Sequence, residues 1–244
     1  MNEHRDLEGR QALVTGATSG IGRAVAEHLA RNGSEVVVHG RNAARGAAVV
    51  DAITAEGGKA RFVPADLSDP GQLDDLADQA GPVDVLVNNA GLSWFGPTAN
   101  LDLATFDRLF AANVRSAYFL VAALAPKMAA RGSGSIISVS SMAGLIGLAG
   151  GAAYGATKAT LISMTRSWAA EFSPAGVRVN AIAPGPVKAA GGVPERIEAL
   201  GATTLLARPA QTSEIAEVIG FLAGPRASYV TGAVFAADGG RTAI

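Results

Sequence analysis

Short apolar runs alternate along this chain with longer stretches whose apolar residues recur every three to four positions. The short runs are QALVTG (11–16), SEVVVHG (34–40), KARFVPAD (59–66), VDVLVNNAG (83–91), GSIISVSS (134–141), VRVNAIAPG (177–185) and GAVFAADGG (232–240). Largely apolar at successive positions, they predict strands covered on both faces, hence a parallel sheet. Between them, amphipathic periodicity predicts helices in GIGRAVAEHLARNG (20–33), NAARGAAVVDAITAEGG (42–58), DPGQLDDLADQAG (69–81), about 102–130, about 152–173 and TSEIAEVIGFLAG (212–224). Asp69 and Pro70 occupy helix-starting positions, and the last helix has a capping-box-like start. Strict β–α alternation implies a doubly wound α/β fold, Rossmann-like, with seven parallel strands and helices on both faces. No repeat, low-complexity tract or linker divides residues 1–244, so one domain is expected. The segment at 186–206 has a Gly pair and poor periodicity, which point to a mobile flap.

Composition narrows the chemistry. The chain has 244 residues, 49% hydrophobic and 17% charged, with a formal net charge of −1. That balance gives no electrostatic pull toward nucleic acid or an anionic membrane. There is no Cys, so disulfides, thiolate metal sites and a cysteine nucleophile are excluded. His4, His28 and His39 are scattered without ligand spacing, so no metal is expected. The charged N-terminus lacks the apolar core of a signal peptide, and no uninterrupted apolar run reaches the ~20 residues of a bilayer span. A cytoplasmic location is expected.

Two regions carry candidate chemistry. The first strand runs directly into TGATSGIG (15–22), with the helix starting inside it. Gly16, Gly20 and Gly22 permit a tight turn, so that amides around Thr18, Ser19 and Ile21 face a phosphate at the helix N-terminus. The spacing is Gly-x-x-x-Gly-x-Gly rather than Gly-x-Gly-x-x-Gly. At the end of the second strand, Gly40 offers no carboxylate and Arg41 offers a donor fork suited to a 2′-phosphate. This favours NADP(H), with NAD(H) open; the alternative is that Arg41 only solvates its loop. Asp66, followed by Leu67, is placed to reach an adenine, or else to cap the next helix. Asn89 can bond backbone, and Ala90 and Gly91 are small enough to lie against a ribose or nicotinamide. The second region is AAYGATKAT (152–160), where Tyr154 and Lys158 share a helical face. A cation beside a phenol lowers its pKa and makes it an acid or base at neutral pH. The plainer reading is a core aromatic beside a solvated lysine.

TGATSGIG, NNAG, an Asn in the long fourth helix, a Ser after strand five, Tyr-x-x-x-Lys and a Pro-Gly after strand six occur in order along nearly the whole chain. On these motifs the chain resembles the short-chain dehydrogenases/reductases. The resemblance implies that Tyr154 is the general acid/base and that Lys158 lowers its pKa and bonds the nicotinamide ribose. It implies Ser141, thirteen places before the tyrosine, as the residue that holds the substrate oxygen, ahead of Ser140 and Ser138. Asn113 resembles the helix-borne Asn that supports a water relay to the lysine. Pro184, Gly185 and Val187 fall where the family holds the nicotinamide. The family often has a Thr shortly afterwards, whereas this chain has Lys188, Ala189 and Ala190.

The substrate pocket is expected from Leu92, Ser93, Trp94 and Phe95, from Ala143 to Gly151, from Gly185 and from the flap. Trp94 and Phe95 form an apolar wall there or pack into an interface. A small-molecule carbonyl or alcohol is the expected substrate. The alternative is a 3-oxoacyl group on a carrier protein, although Gly132 and Ala175 stand where such reductases tend to carry Arg; Arg131 and Arg178 are neighbouring substitutes. A non-catalytic NADP-binding sensor is a third possibility. Family resemblance implies a homotetramer or homodimer, with Trp168 and Phe172 as candidate interface residues.

Overall fold

The seven predicted strands form one parallel sheet in the computed structural model, which describes residues 5–189 and 193–244. They are β1 (Gln11–Val14), β2 (Glu35–Gly40), β3 (Lys59–Pro64), β4 (Val85–Asn88), β5 (Gly134–Val139), β6 (Val177–Pro184) and β9 (Val234–Ala237). Two short strands, β7 (Val187–Lys188) and β8 (Ala210–Gln211), pair separately and in parallel. The main order is β3-β2-β1-β4-β5-β6-β9. Chain order reverses between β1 and β4, and such a switch point leaves a crevice at the carboxyl ends of the strands. Register brings these ends level, with Val14 beside Val87, Asn88 beside Ser138 and Val139 beside Ile182.

Alternate strand residues serve two cores. Val14, Val36, Val38, Val87 and Ile137 pack under α1 (Gly20–Arg31), α2 (Ala43–Ala55) and α8 (Thr212–Ala223). Leu13, Val37, Leu86 and Ile136 face α3 (Pro70–Ala80), α5 (Ser116–Ala130) and α6 (Ala152–Phe172). Burial on both faces is why the strands read as continuous apolar runs. Helix starts follow local chemistry: Asp69 Oδ1 accepts from the amides of Gly71 and Gln72, with Pro70 at the first helical position. The start of α8 is set by Gln211, whose amide donates to Glu214 at 2.8 Å.

Three features depart from the pattern. The helix expected over about 102–130 begins as α4 (Leu103–Phe110) and continues into α5, but a π-helical turn at Ala111–Arg115 interrupts it. At 28 residues this composite helix is long and apolar enough to cross a bilayer by composition, contrary to the reading from uninterrupted runs. Its buried side (Leu109, Leu120, Leu124 and Met128) makes it a core helix instead. The stretch expected to be a loose flap holds β7 and a helix, α7 (Pro194–Gly201). Pro194 starts that helix, a position where its missing N–H costs nothing. Trp168, a candidate for an interface, is buried in the core beneath α5. Exposed aromatic surface on the long helix comes from Phe106, Tyr118 and Phe119 instead.

Candidate active site

The glycine loop lies between β1 and α1. Gly16 has φ +63°, a left-handed conformation that favours glycine. A β-carbon on Gly22 would sit 2.4 Å from both the Gly16 carbonyl and Asn89 Nδ2. Ser19 stands at the N-cap without a side-chain bond, so the first-turn amides of α1 stay open to an anion. Asn89 Nδ2 donates to the carbonyls of Thr15 (2.8 Å) and Gly16 (3.2 Å). Thr15 Oγ1 accepts from the amides of Asn89 and Ala90, both at 3.0 Å. His39 accepts from the Gly16 amide at Nδ1 (3.2 Å), and its Nε2 faces the Ala65 carbonyl at 3.1 Å. Burial holds its pKa below the ordinary value, so the neutral ring can play both parts. Neither Thr15 nor His39 was anticipated from the sequence; a buried polar residue at the end of an apolar strand was the available signal. The open first-turn amides of α1, over a loop too tightly packed for a side chain at Gly22, fit the pyrophosphate of a dinucleotide.

The edge beside it carries the other cofactor candidates. A β-carbon on Gly40 would lie 2.5 Å from Thr18 Cγ2, so packing as well as sequence keeps a carboxylate away from that position. Arg41 is exposed at the strand end. Asp66 accepts from the Ser68 amide and hydroxyl (2.9 and 2.7 Å), and these bonds hold its carboxyl below the usual range. Asp69, not Asp66, caps α3, which leaves Asp66 on the loop. Leu67 is buried against the second core.

The catalytic candidates converge from three elements. Ser141 lies two residues past β5 and caps a single 3-10 turn, its Oγ accepting from the Ala143 amide at 3.2 Å. That turn presses on α6: a β-carbon on Gly155 would lie 2.6 Å from the Ala143 carbonyl oxygen. Lys158 is buried and donates from Nζ to the Val139 carbonyl at 2.8 Å, and Ser140 Oγ donates to the Lys158 carbonyl at 2.8 Å. Lys158 Nζ lies 5.8 Å from the centre of the Tyr154 ring. The π-turn carries Asn113 inward, a usual role for such turns. Its amide accepts from Leu92 N (2.7 Å) and donates to Leu92 O (2.8 Å) and Thr157 Oγ1 (3.0 Å). Thr157 in turn donates to the Tyr154 carbonyl at 2.7 Å. Ser140, weighed against Ser141 in the sequence, supports Lys158 from behind, and Thr157, a small hydroxyl beside a more conspicuous neighbour, has no sequence signal of its own.

Electrostatics run opposite to the simple expectation for a phenol beside a cation. Burial pushes the Tyr154 phenol up, and the Ser141 hydroxyl beside it pulls the other way. Burial also lowers Lys158, to about 8. Desolvation disfavours the charged form of each group.

A cavity of about 690 Å³ joins these parts, lined by Ile21, Asn89, Gly91, Ser93, Ser141, Tyr154, Lys158, Pro184, Gly185 and Val187, among others. Phe95 lines it and lies 5.3 Å from Tyr154 between ring centres. Trp94 and Ala143, both expected in the pocket, do not line it. The Trp94 indole folds over Gly96, and Ala143 is buried with its carbonyl against α6. After Gly185, Val187 belongs to β7, Lys188 pairs with Glu198 at 2.7 Å, and Ala189 lines the cavity. Ala190 lies outside the described residues. Arg131 and Arg178 lie at the opposite, amino-terminal end of the sheet strands, donating to the carbonyls of Val83 and of Ala223 and Gly224.

The sequence model of the short chain dehydrogenase family matches residues 10–198. The chain is 39% identical to the cis-4-hydroxycyclohexanecarboxylate dehydrogenase of Sinomonas cyclohexanicum, across 96% of this chain and 97% of that protein. A solved short chain dehydrogenase/reductase family protein superposes with a TM-score of 0.91 at 50% identity, covering 98% of this chain and 100% of its own. The 3-oxoacyl (acyl-carrier-protein) reductase of Agrobacterium tumefaciens C58, solved with NADP bound, superposes with a TM-score of 0.91 at 33% identity, covering 97% and 95%.

Proposed function

Because the chain belongs to the short-chain dehydrogenase/reductase family, we propose that it is an NADP(H)-preferring enzyme that interconverts a small-molecule ketone and its secondary alcohol, with Tyr154 as general acid/base. The observation that carries this reading is one cavity bordered both by the phosphate-loop side, at Ile21 and Asn89, and by Ser141, Tyr154 and Lys158. When bound, the nicotinamide supplies the hydride donor or acceptor. The open amides of the glycine loop would hold its pyrophosphate, Arg41 the 2′-phosphate and Asp66 the adenine, with Pro184, Gly185 and Val187 along the nicotinamide.

The chain's own residues manage the oxygen and the proton. Ser141 orients the substrate oxygen toward the phenol. Tyr154 gives its proton to that oxygen in reduction and takes one in oxidation. The Lys158 ammonium would bond the nicotinamide ribose and favour the phenolate as the proton leaves. Asn113 holds the Leu92 loop to α6 and so keeps the cavity floor beside Lys158. The described parts of the 186–206 stretch, residues 186–189 and 193–206, form a flap over the substrate, a role supported by the exposed α7. A homotetramer or homodimer belongs to the same proposal, supported by the exposed aromatics of the long helix and tested by light scattering.

The deciding test is a panel of ketones, alcohols and carrier-type thioesters assayed with NADPH and NADH. Turnover of simple ketones with NADPH, and about a tenfold shift toward NADH in Arg41→Asp, is expected. Activity confined to thioesters would move the assignment to a carrier-protein reductase. Inactivity across the panel would point to a non-catalytic NADP-binding role.

A further inference from the structure

We infer that Arg196 on α7 is the anchor for an anionic group of the substrate, and that the preferred substrates are therefore oxo acids or hydroxy acids rather than neutral carbonyl compounds. The inference rests on the catalytic reading above and narrows its substrate class.

Three observations carry it. First, among the described residues the cavity lining contains two charged side chains, Lys158 and Arg196, and no Asp or Glu. Lys158 is buried on the β5 side and bonded to the Val139 carbonyl, so Arg196 is the cation available to a substrate group. Second, Arg196 is held in place without being neutralised. Its guanidinium carbon lies over the Phe95 ring, 3.9 Å from its centre, a cation–π contact. No carboxylate among the described residues forms an ion pair with it. Glu198, on the same helix, is engaged by Lys188 at 2.7 Å. That contact uses no hydrogen bond, and no described residue engages the guanidinium's N–H fork, the edge that receives a carboxylate in bidentate fashion.

Third, the anchor stands at a useful distance from the chemistry. Phe95 is the single ring between the guanidinium and the phenol, 5.3 Å from Tyr154 centre to centre. A substrate with its oxygen at Ser141 and Tyr154 and its carboxylate on Arg196 therefore has a short chain or one ring between the two groups. The other flap residues around Arg196, including Val193, Ile197 and Leu200, are apolar and suit that spacer. The acidic surface of a carrier protein would meet the outside of the molecule, not a wall one aromatic ring from the phenol.

The test uses matched pairs, each an oxo acid and its methyl ester, with NADPH and wild-type enzyme, Arg196→Ala and Arg196→Lys. For the wild type, kcat/KM is expected to be higher for the acid than for the ester. Arg196→Ala should lower kcat/KM for the acid about 10- to 100-fold, mainly through KM, the loss of one charge-assisted contact. It should change the ester less than about twofold, with Arg196→Lys intermediate on the acid. NADPH affinity, read by fluorescence titration, should not move. Equal losses for acid and ester, or no acid preference in the wild type, would overturn the anchor. A fall in NADPH affinity would overturn it too, by assigning the guanidinium to a cofactor phosphate. If neither member of any pair turned over, the catalytic reading would fail instead. Calorimetric binding of the oxo acid to wild type and Arg196→Ala would then still decide the anchor.

Discussion

On the β5–α6 side of the cavity, Asn113, Ser140, Thr157 and Lys158 are buried, and each spends its polar atoms on named partners. Across from them, α7 is exposed over most of its length and makes one ion pair to the preceding strand, Lys188 with Glu198. The first wall is an extension of the core, and its geometry is over-determined by packing. The second is a surface element with free donors and apolar tips. The difference separates two tasks. In the proposed reaction, proton transfer tolerates little displacement, and the groups assigned to it sit where hydrogen bonds and sheet register fix them. Substrate choice can vary on a helix whose residues change without disturbing the sheet.

The largest test of this contrast is Tyr154→Phe. Turnover should fall about 1,000-fold or more while NADPH titration and the melting temperature stay near wild type, since only a hydroxyl at the cavity is removed. Near-normal turnover would end the assignment of the catalytic wall.

Lys158→Met separates function from stability. In the wild type the folded lysine titrates at about 8, below its ordinary 10.5. The burial cost is therefore present in full below about pH 8, and folding stability rises as pH climbs from there toward 10.5. The variant should lose that rise and melt no lower than wild type at pH 7, yet lose about 100-fold in turnover. A lower melting point at pH 7 would mean that the bond to Val139 outweighs desolvation.

Asn113→Ala should do the reverse. It leaves the Leu92 amide and carbonyl without their partner, costing about 1–3 kcal/mol in denaturant unfolding, with a drop in turnover of about tenfold. Unchanged stability would show that the π-turn holds its shape without the side chain. The smallest effect is expected on the flap. Lys188→Ala removes an exposed ion pair, so substrate KM should rise about two- to threefold with no change in melting temperature. A loss of stability there would break the contrast between the two walls.

Much of the fold was legible because its signals are local. Seven apolar runs became seven strands, and Asp69 and Pro70 start their helix by chemistry that spans three residues. Helix α7 was not legible: Pro194–Gly201 is short and exposed, and its periodicity is weak without a core to face. Neither was the π-turn, because one extra residue per turn leaves the apolar pattern of a long helix nearly intact. In the pocket, Trp94 and Phe95 are adjacent large aromatics with no sequence feature to rank them. Backbone pairing between Gly96 and Gly150 fixes the loop, and Phe95 rather than Trp94 reaches the cavity and Tyr154.

By itself, then, the sequence determined the strand and helix order, the glycine loop and the residue types of the candidate catalytic set, because each depends on neighbours a few positions away. Only the tertiary structure decided which hydroxyls support Lys158 and Tyr154, how burial moves their proton affinities, and that Arg196 lies over the Phe95 ring beside the phenol. Those are contacts between residues far apart in the chain, and desolvation is a property of the assembled surroundings rather than of any one side chain.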